Sequence, residues 1–164
     1  MKNLSLIILI CSIILTSSCQ NNDEDVAGVL KDTSVNISVI SKAGEDLLNP
    51  NNSNHFDKNG IKLYDVENGK VTEVNNPNMD APNGFLLFER DSSYWLTIFP
   101  NTANPDKHLI MHIQWKESDI DTLKYEVTRK NNNTYIVISK VWFNEALVWD
   151  GLTDSDNRHF EIVK

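Results

Sequence analysis

Cysteine is almost missing from this chain: there are two, Cys11 and Cys19, both near the N-terminus. Everything beyond residue 19 therefore lacks a thiol. That excludes a disulfide framework, a Cys-x-x-Cys redox pair and thiolate zinc sites there. Positive charge is scarce as well. Fifteen Lys and Arg against 23 Asp and Glu leave a net charge of −8, and no basic patch interrupts the acidity. Such a chain repels phosphate backbones, so nucleic acid is excluded as a partner. No apolar run reaches the ~20 residues that span a bilayer as a helix. Gly-x-Ser-x-Gly, Ser-x-x-Lys, His-Glu-x-x-His and phosphate-binding loops are all missing, which removes the common catalytic signatures. A triad assembled across strands stays open, because triads are defined by geometry and not by spacing.

What is present begins with an address. Lys2 precedes an apolar stretch over residues 4–15, broken by Ser5 and Ser12, and Thr16-Ser17-Ser18-Cys19 follows. About twelve residues is the length of a signal-peptide core, too short for a spanning helix. Two readings are open: an ordinary secretory signal ending at Ser18, or a signal in which Cys19 is itself the modified residue. Ser17, Ser18 and Cys19 resemble the lipobox of bacterial lipoproteins. The leading position holds Thr16, with Leu15 one residue earlier. The resemblance implies a diacylglyceryl thioether on Cys19, cleavage before it and acylation of its amine. Two or more acyl chains, at ~0.8 kcal/mol per buried CH₂, hold a protein firmly to a membrane. Residues 1–18 then form the signal peptide and residues 19–34 a flexible acidic tether, with a reach on the order of 20 Å. The tether opens with Gln20-Asn21-Asn22-Asp23-Glu24-Asp25, which can bury nothing useful. An acidic run directly after the lipidated cysteine resembles the surface-export signal of Bacteroidetes lipoproteins. It implies an outer-membrane protein displayed at the cell surface. The alternative is a plain solvated spacer and a domain facing the periplasm.

Residues 35–164 read as one all-β domain. No sustained 3.6-residue periodicity appears, whereas short alternating runs do. Val35, Ile37 and Val39 form the first. Runs at 61–66 and 71–74 flank Asn68-Gly69, the strongest short hairpin signal. Runs at 85–90 and 94–99 flank Asp91-Ser92-Ser93. Leu109, Met111, Ile113 and Trp115 alternate along 108–115. Runs at 122–128 and 134–143 flank an Asn-rich turn, and 146–149 and 160–163 follow. The five prolines all fall between these runs, as ladder geometry demands. Nine or ten mostly antiparallel strands imply a single β-sandwich, with a small up-and-down barrel as the alternative. Asp46-Leu47-Leu48-Asn49-Pro50 and the stretch from Val141 to Trp149 look like uncharacterised lipoproteins of Bacteroidetes. That likeness implies a location and no activity.

Few residues point to chemistry. Trp142 and Trp149 are the candidate ligand-binding pair, since exposed indoles stack on sugar rings. With Asn144-Glu145 as a two-residue turn, Trp142 pairs with Leu147 and Lys140 with Trp149, which puts both indoles on one face. Taking 130–133 as a four-residue loop gathers Leu123, Tyr125, Val127, Ile136 and Ile138 onto that face, so both indoles are expected in the core. A one-residue change of register reverses this. His108 and His112 share a strand face but stand about 13 Å apart, too far for one metal. His55 and His159 have no visible partner. Asp57-Lys58-Asn59-Gly60 and Asp154-Ser155-Asp156 hint at calcium without completing a binding loop, and turns explain both. Asp121-Thr122-Leu123 resembles a short O-glycosylation motif of Bacteroidetes. No catalytic, cofactor-binding or metal-binding residue is assigned. The expected function is that of a non-enzymatic, lipid-anchored module that meets the membrane through Cys19 and binds a protein or glycan partner. A small-ligand carrier with a lipocalin-like cavity is the alternative, and a glycan-active enzyme the third reading.

Overall fold

The computed structural model describes residues 28–154 and 158–164. Cys11, Cys19 and most of the expected tether lie outside the described residues, as do Ser155 and Asp156. Eleven strands form: β1 Leu30–Asp32, β2 Val35–Ile40, β3 Lys62–Glu67, β4 Lys70–Glu73, β5 Phe85–Arg90, β6 Ser93–Ile98, β7 His108–Lys116, β8 Asp119–Lys130, β9 Tyr135–Phe143, β10 Ala146–Asp150 and β11 His159–Val163. They build two open sheets, one of seven strands in the order β1-β9-β8-β7-β3-β4 with β10 also on β9, and one of four in the order β11-β2-β6-β5. The architecture is the all-β sandwich expected from the sequence. The barrel alternative does not form: neither sheet closes. The interior is filled by Trp115, Tyr125, Leu48, Leu63, Leu96 and their neighbours, where a lipocalin-like carrier would hold a hollow.

The hairpins follow from turn chemistry. Glu67 pairs with Lys70 across Asn68-Gly69, whose φ values of 49° and 78° are those of a type I′ turn. Arg90 pairs with Ser93, so the second hairpin turns on Asp91-Ser92 alone, at φ 50° and 68°. Asn131–Asn133 turn the chain between β8 and β9 with all three residues at positive φ, 51°, 52° and 66°, the left-handed region that asparagine tolerates. The long irregular segment after β2 is held from within. Leu47, Leu48 and Phe56 are core residues, and the Asp46 carboxylate accepts from the amides of Leu48 and Tyr94 at 2.9 and 2.8 Å.

Three details depart from the expectation. Leu30–Asp32, inside the expected tether, is a strand and pairs in parallel with Tyr135–Val137. β11 also pairs in parallel, with β2, so both sheets are mixed. Most consequential is the register of β8, β9 and β10. Val127 pairs with Ile138 but Glu126 with Lys140, so Ser139 is an extra residue in β9. Leu147 pairs with Trp142 but Trp149 with Val141, so Val148 is an extra residue in β10. Each bulge turns the following side chains to the other face. Ile136 and Ile138 face the core before the first bulge, and Val141 faces it afterwards.

Candidate functional site

Trp142 and Trp149 are therefore not neighbours on one face, and only one joins the core. Trp149 is 6 % exposed. Trp142 is half-buried on the outer face of the larger sheet, with the Lys124 ammonium 5.1 Å from its ring centroid and His108 edge-on at 6.3 Å. Of the expected β9–β10 pairings Trp142 with Leu147 holds and Lys140 with Trp149 fails, because of the bulge at Val148. The expected loop over 130–133 fails as well, since Lys130 pairs with Tyr135 and Arg129 with Ile136. Trp149 keeps a polar loose end, since its Nε1–H is buried without an acceptor among the described residues. It forms part of the wall of an 810 Å³ cleft between β1, β9 and the segment after β10. Gly151 lies against the indole so closely that a Cβ there would come within 2.8 Å of Cη2.

The charged groups of this cleft neutralise one another. Lys140 binds Asp150 at 2.8 Å, Arg158 binds Asp32, and Glu126 meets Lys107 at 3.2 Å. The Lys140 ammonium holds Asp150 below the ordinary carboxylate range. Burial is the largest single effect and raises Glu126, but the hydrogen bonds from Lys107 and Ser139 and the charges of Lys107 and His108 together outweigh it, and the net shift is downward. A glycosidase needs one carboxyl held protonated, and both of these shift the wrong way.

The histidines separate. His112 Nδ1 lies 3.1 Å from Thr122 Oγ1, and His55 Nδ1 lies 2.6 Å from the Asn52 carbonyl. His108 approaches Glu126 at 3.4 Å. Asp57 caps its own turn by accepting from the Asn59 amide at 3.0 Å, and Asp154 accepts from the Asp150 amide at 3.1 Å. No cluster of metal-ligating side chains occurs among the described residues.

His159 leads to the most built surface, one that sequence reasoning passed over. It stacks on Trp95 with centroids 4.0 Å apart and planes 13° apart. The Arg90 guanidinium lies 4.7 Å from the same indole. β5 carries Arg90 and β11 carries His159, on opposite sides of β6, so the two faces of Trp95 are both occupied. Hydrogen bonds fix the stack: His159 Nε2 lies 3.1 Å from Ser38 Oγ, and Trp95 Nε1 donates to Ser93 Oγ at 3.2 Å. Burial lowers the His159 pKa; Arg90 adds to that and Glu161 opposes it. Around the stack the outer face of the four-stranded sheet is mixed, with exposed apolar side chains among Asn36, Ser38, Ser93, Thr97 and Glu161. Leu86, Phe88, Phe99 and Val163 are 41, 39, 39 and 59 % exposed. Phe88 pairs directly with Trp95. The missed signal was the alternate set in two runs already read as strands: Leu86, Phe88 and Arg90 in one, Trp95, Thr97 and Phe99 in the other.

The chemistry of this face suits a protein partner better than a sugar. A pyranose stacks on a free aromatic face, and Trp95 has none left. Arg and Trp held rigid before contact are the groups that dominate protein–protein hot spots. Among the described residues the Arg90 guanidinium pairs with no carboxylate but that of exposed Asp91, at 3.7 Å, and remains able to take a carboxylate from outside. No protein-family model matches the chain, and comparison with curated proteins and with solved structures gives no match either.

Proposed function

We propose that this chain is a lipid-anchored lipoprotein of the outer membrane, displayed at the cell surface, and that its β-sandwich is a non-enzymatic binding module. Cys19 is the lipidated residue. The binding surface is the outer face of the four-stranded sheet, and the partner is a protein with an apolar patch carrying a carboxylate that reaches Arg90. One observation carries the reading: exposed Leu86, Phe88, Phe99 and Val163 around the Arg90–Trp95–His159 stack, on a sheet face beside a filled core, in a chain whose overall charge is −8. Exposed patches of this kind mark interaction sites. A glycan in the Trp149 cleft is the second reading, favoured by the unpartnered Nε1–H.

The test has two arms. Cys19→Ser is expected to move the protein from the membrane to the soluble fraction and to abolish palmitate labelling. Retention in the membrane overturns the anchor. A photo-crosslinker in place of Phe88 is expected to join one discrete protein, and Arg90→Glu to reduce that product at least tenfold. The same crosslinker in place of Ile120, exposed on the larger sheet, is expected to give none. A product that is a second copy of this chain, or one unaffected by Arg90→Glu, overturns the assigned partner.

A further inference from the structure

A second, smaller cavity of about 180 Å³ is walled by β3, β7, β8 and the segment after β6. Its chemistry is lopsided. Asp65 and Glu67 on β3 give it two carboxylates, and Pro100, Leu109 and Met111 give it apolar walls. Tyr125 on β8 completes the lining. The Tyr125 side chain is fully buried, and its hydroxyl has no hydrogen-bond partner among the described residues. An orphaned buried hydroxyl costs ~1–3 kcal/mol of desolvation. Asp65 is half-buried, and its carboxylate makes no hydrogen bond or ion pair among the described residues. It acts electrostatically on the Tyr125 hydroxyl, so both unsatisfied groups share one neighbourhood. No cationic side chain lines the cavity.

The loop that roofs this cavity is fixed in advance. Arg129 donates to the carbonyls of Thr102, Asn104 and Asp106 at 3.3, 2.6 and 2.8 Å. Asn104 in turn donates to Glu67 at 3.2 Å. The site is thus built with its ordering entropy already spent.

We propose that this cavity binds a small organic ammonium ion, a primary amine on a short apolar stem. The ammonium donates to the Asp65 carboxylate and to the phenol oxygen of Tyr125, and the stem lies against Leu109, Met111 and Pro100. A cavity of ~150 Å³ holds benzene, so the space fits six to ten heavy atoms, roughly. A metal ion fits less well: Thr72, Asn101 and Asn104 add neutral oxygens to the two carboxylates and the phenol, but no cluster of three metal-ligating side chains occurs here among the described residues, and calcium wants six to eight oxygens. This site is independent of the docking face and of the anchor.

The experiment uses n-butylammonium, its neutral analogue n-butanol, and calcium, each titrated into the full domain and read by amide chemical shifts. Butylammonium is expected to shift the amides of 65–67, 109–111 and 125 and to saturate at least tenfold below butanol. Asp65→Asn is expected to abolish that preference. Tyr125→Phe is expected to weaken butylammonium severalfold while keeping the preference. Glu67→Gln, at an exposed position, is expected to give a smaller loss of the same kind, and it keeps the test decisive should Asp65→Asn fail to fold. Equal affinity for the charged and neutral probes, no shifts with either, or shifts with calcium alone overturns the proposal.

Discussion

Asp65 is a carboxylate placed where folding does not want one. It alternates with Leu63 on the inward side of β3, and burial, then the charge of Glu67, raises its pKa above the ordinary 3.8. Such a shift is a stability statement. The folded state holds this proton more tightly than the unfolded chain does. Stability therefore falls as pH rises from the unfolded value through the folded one, and the penalty is constant above that. Asp65→Asn removes the penalty. It is expected to raise the unfolding midpoint at pH 7, by less than ~1 kcal/mol once solvent screening of a half-exposed group is allowed for. Near pH 3 variant and parent should coincide. Denaturation at both values checks this, and an equal gap at both would contradict it. A residue whose loss stabilises the fold is one kept for another reason, which fits the ligand role given to it above. None of this was legible in the sequence. Asp65 reads there as the polar member of an alternating strand, and its inward direction is set by pairing with Met111 on β7.

The strands themselves were legible because their turns and their alternation agree. Asn68-Gly69 marked one hairpin, and the core positions Leu109, Met111, Ile113 and Trp115 were plain from period alone. The bulges at Ser139 and Val148 were not legible, because an extra residue leaves no mark on local composition. Their effect is large: they separate two indoles that ideal pairing would have put side by side. The Asp91-Ser92 turn was read one residue too long for a related reason. It adopts positive φ at both positions without glycine, which costs ~1–2 kcal/mol per residue for ordinary side chains. Ser92→Gly relieves part of that, against the greater entropy of glycine in the unfolded chain. The expected net gain is about 0.5–1 kcal/mol. In the sister hairpin Gly69→Ser should lose a comparable amount, since Gly69 sits at φ 78°. Thermal unfolding of the two variants checks the pair. A Ser92→Gly variant less stable than the parent would show that the Asp91-Ser92 turn is not strained.

How the two sheets are tied together was the least visible feature, since it depends on contacts far apart in sequence. Within the smaller sheet His159 meets Ser38 across 121 residues; between the sheets Lys164 meets Asp121 across 43. The second contact is a polar clamp at the sandwich edge. Lys164, just beyond β11 of the smaller sheet, binds Asp119 and Asp121 of the larger one. Asp121, 8 % exposed, also accepts from Trp115 Nε1 at 2.7 Å and from Asn144 Nδ2 at 2.6 Å. Trp115 stacks on Phe56 at 5.4 Å, so the clamp reaches the core. Burial alone would raise the Asp121 pKa; the hydrogen bonds from Lys164, Asn144 and Trp115 outweigh it and lower it below the ordinary 3.8. The sign is thus opposite to that of Asp65. The clamp contributes fully above the unfolded pKa, and its contribution is lost as pH falls through the folded one. Asp121→Asn leaves Lys164 with Asp119 alone and should cost about 2–3 kcal/mol at pH 7, somewhat less than breaking a wholly buried pair. In acid the parent protonates Asp121 and loses the same contact, so the gap between parent and variant should narrow toward pH 2. Urea unfolding at pH 7 and pH 2 measures both. A gap that stays constant would mean that Asp121 acts through packing and not through its charge.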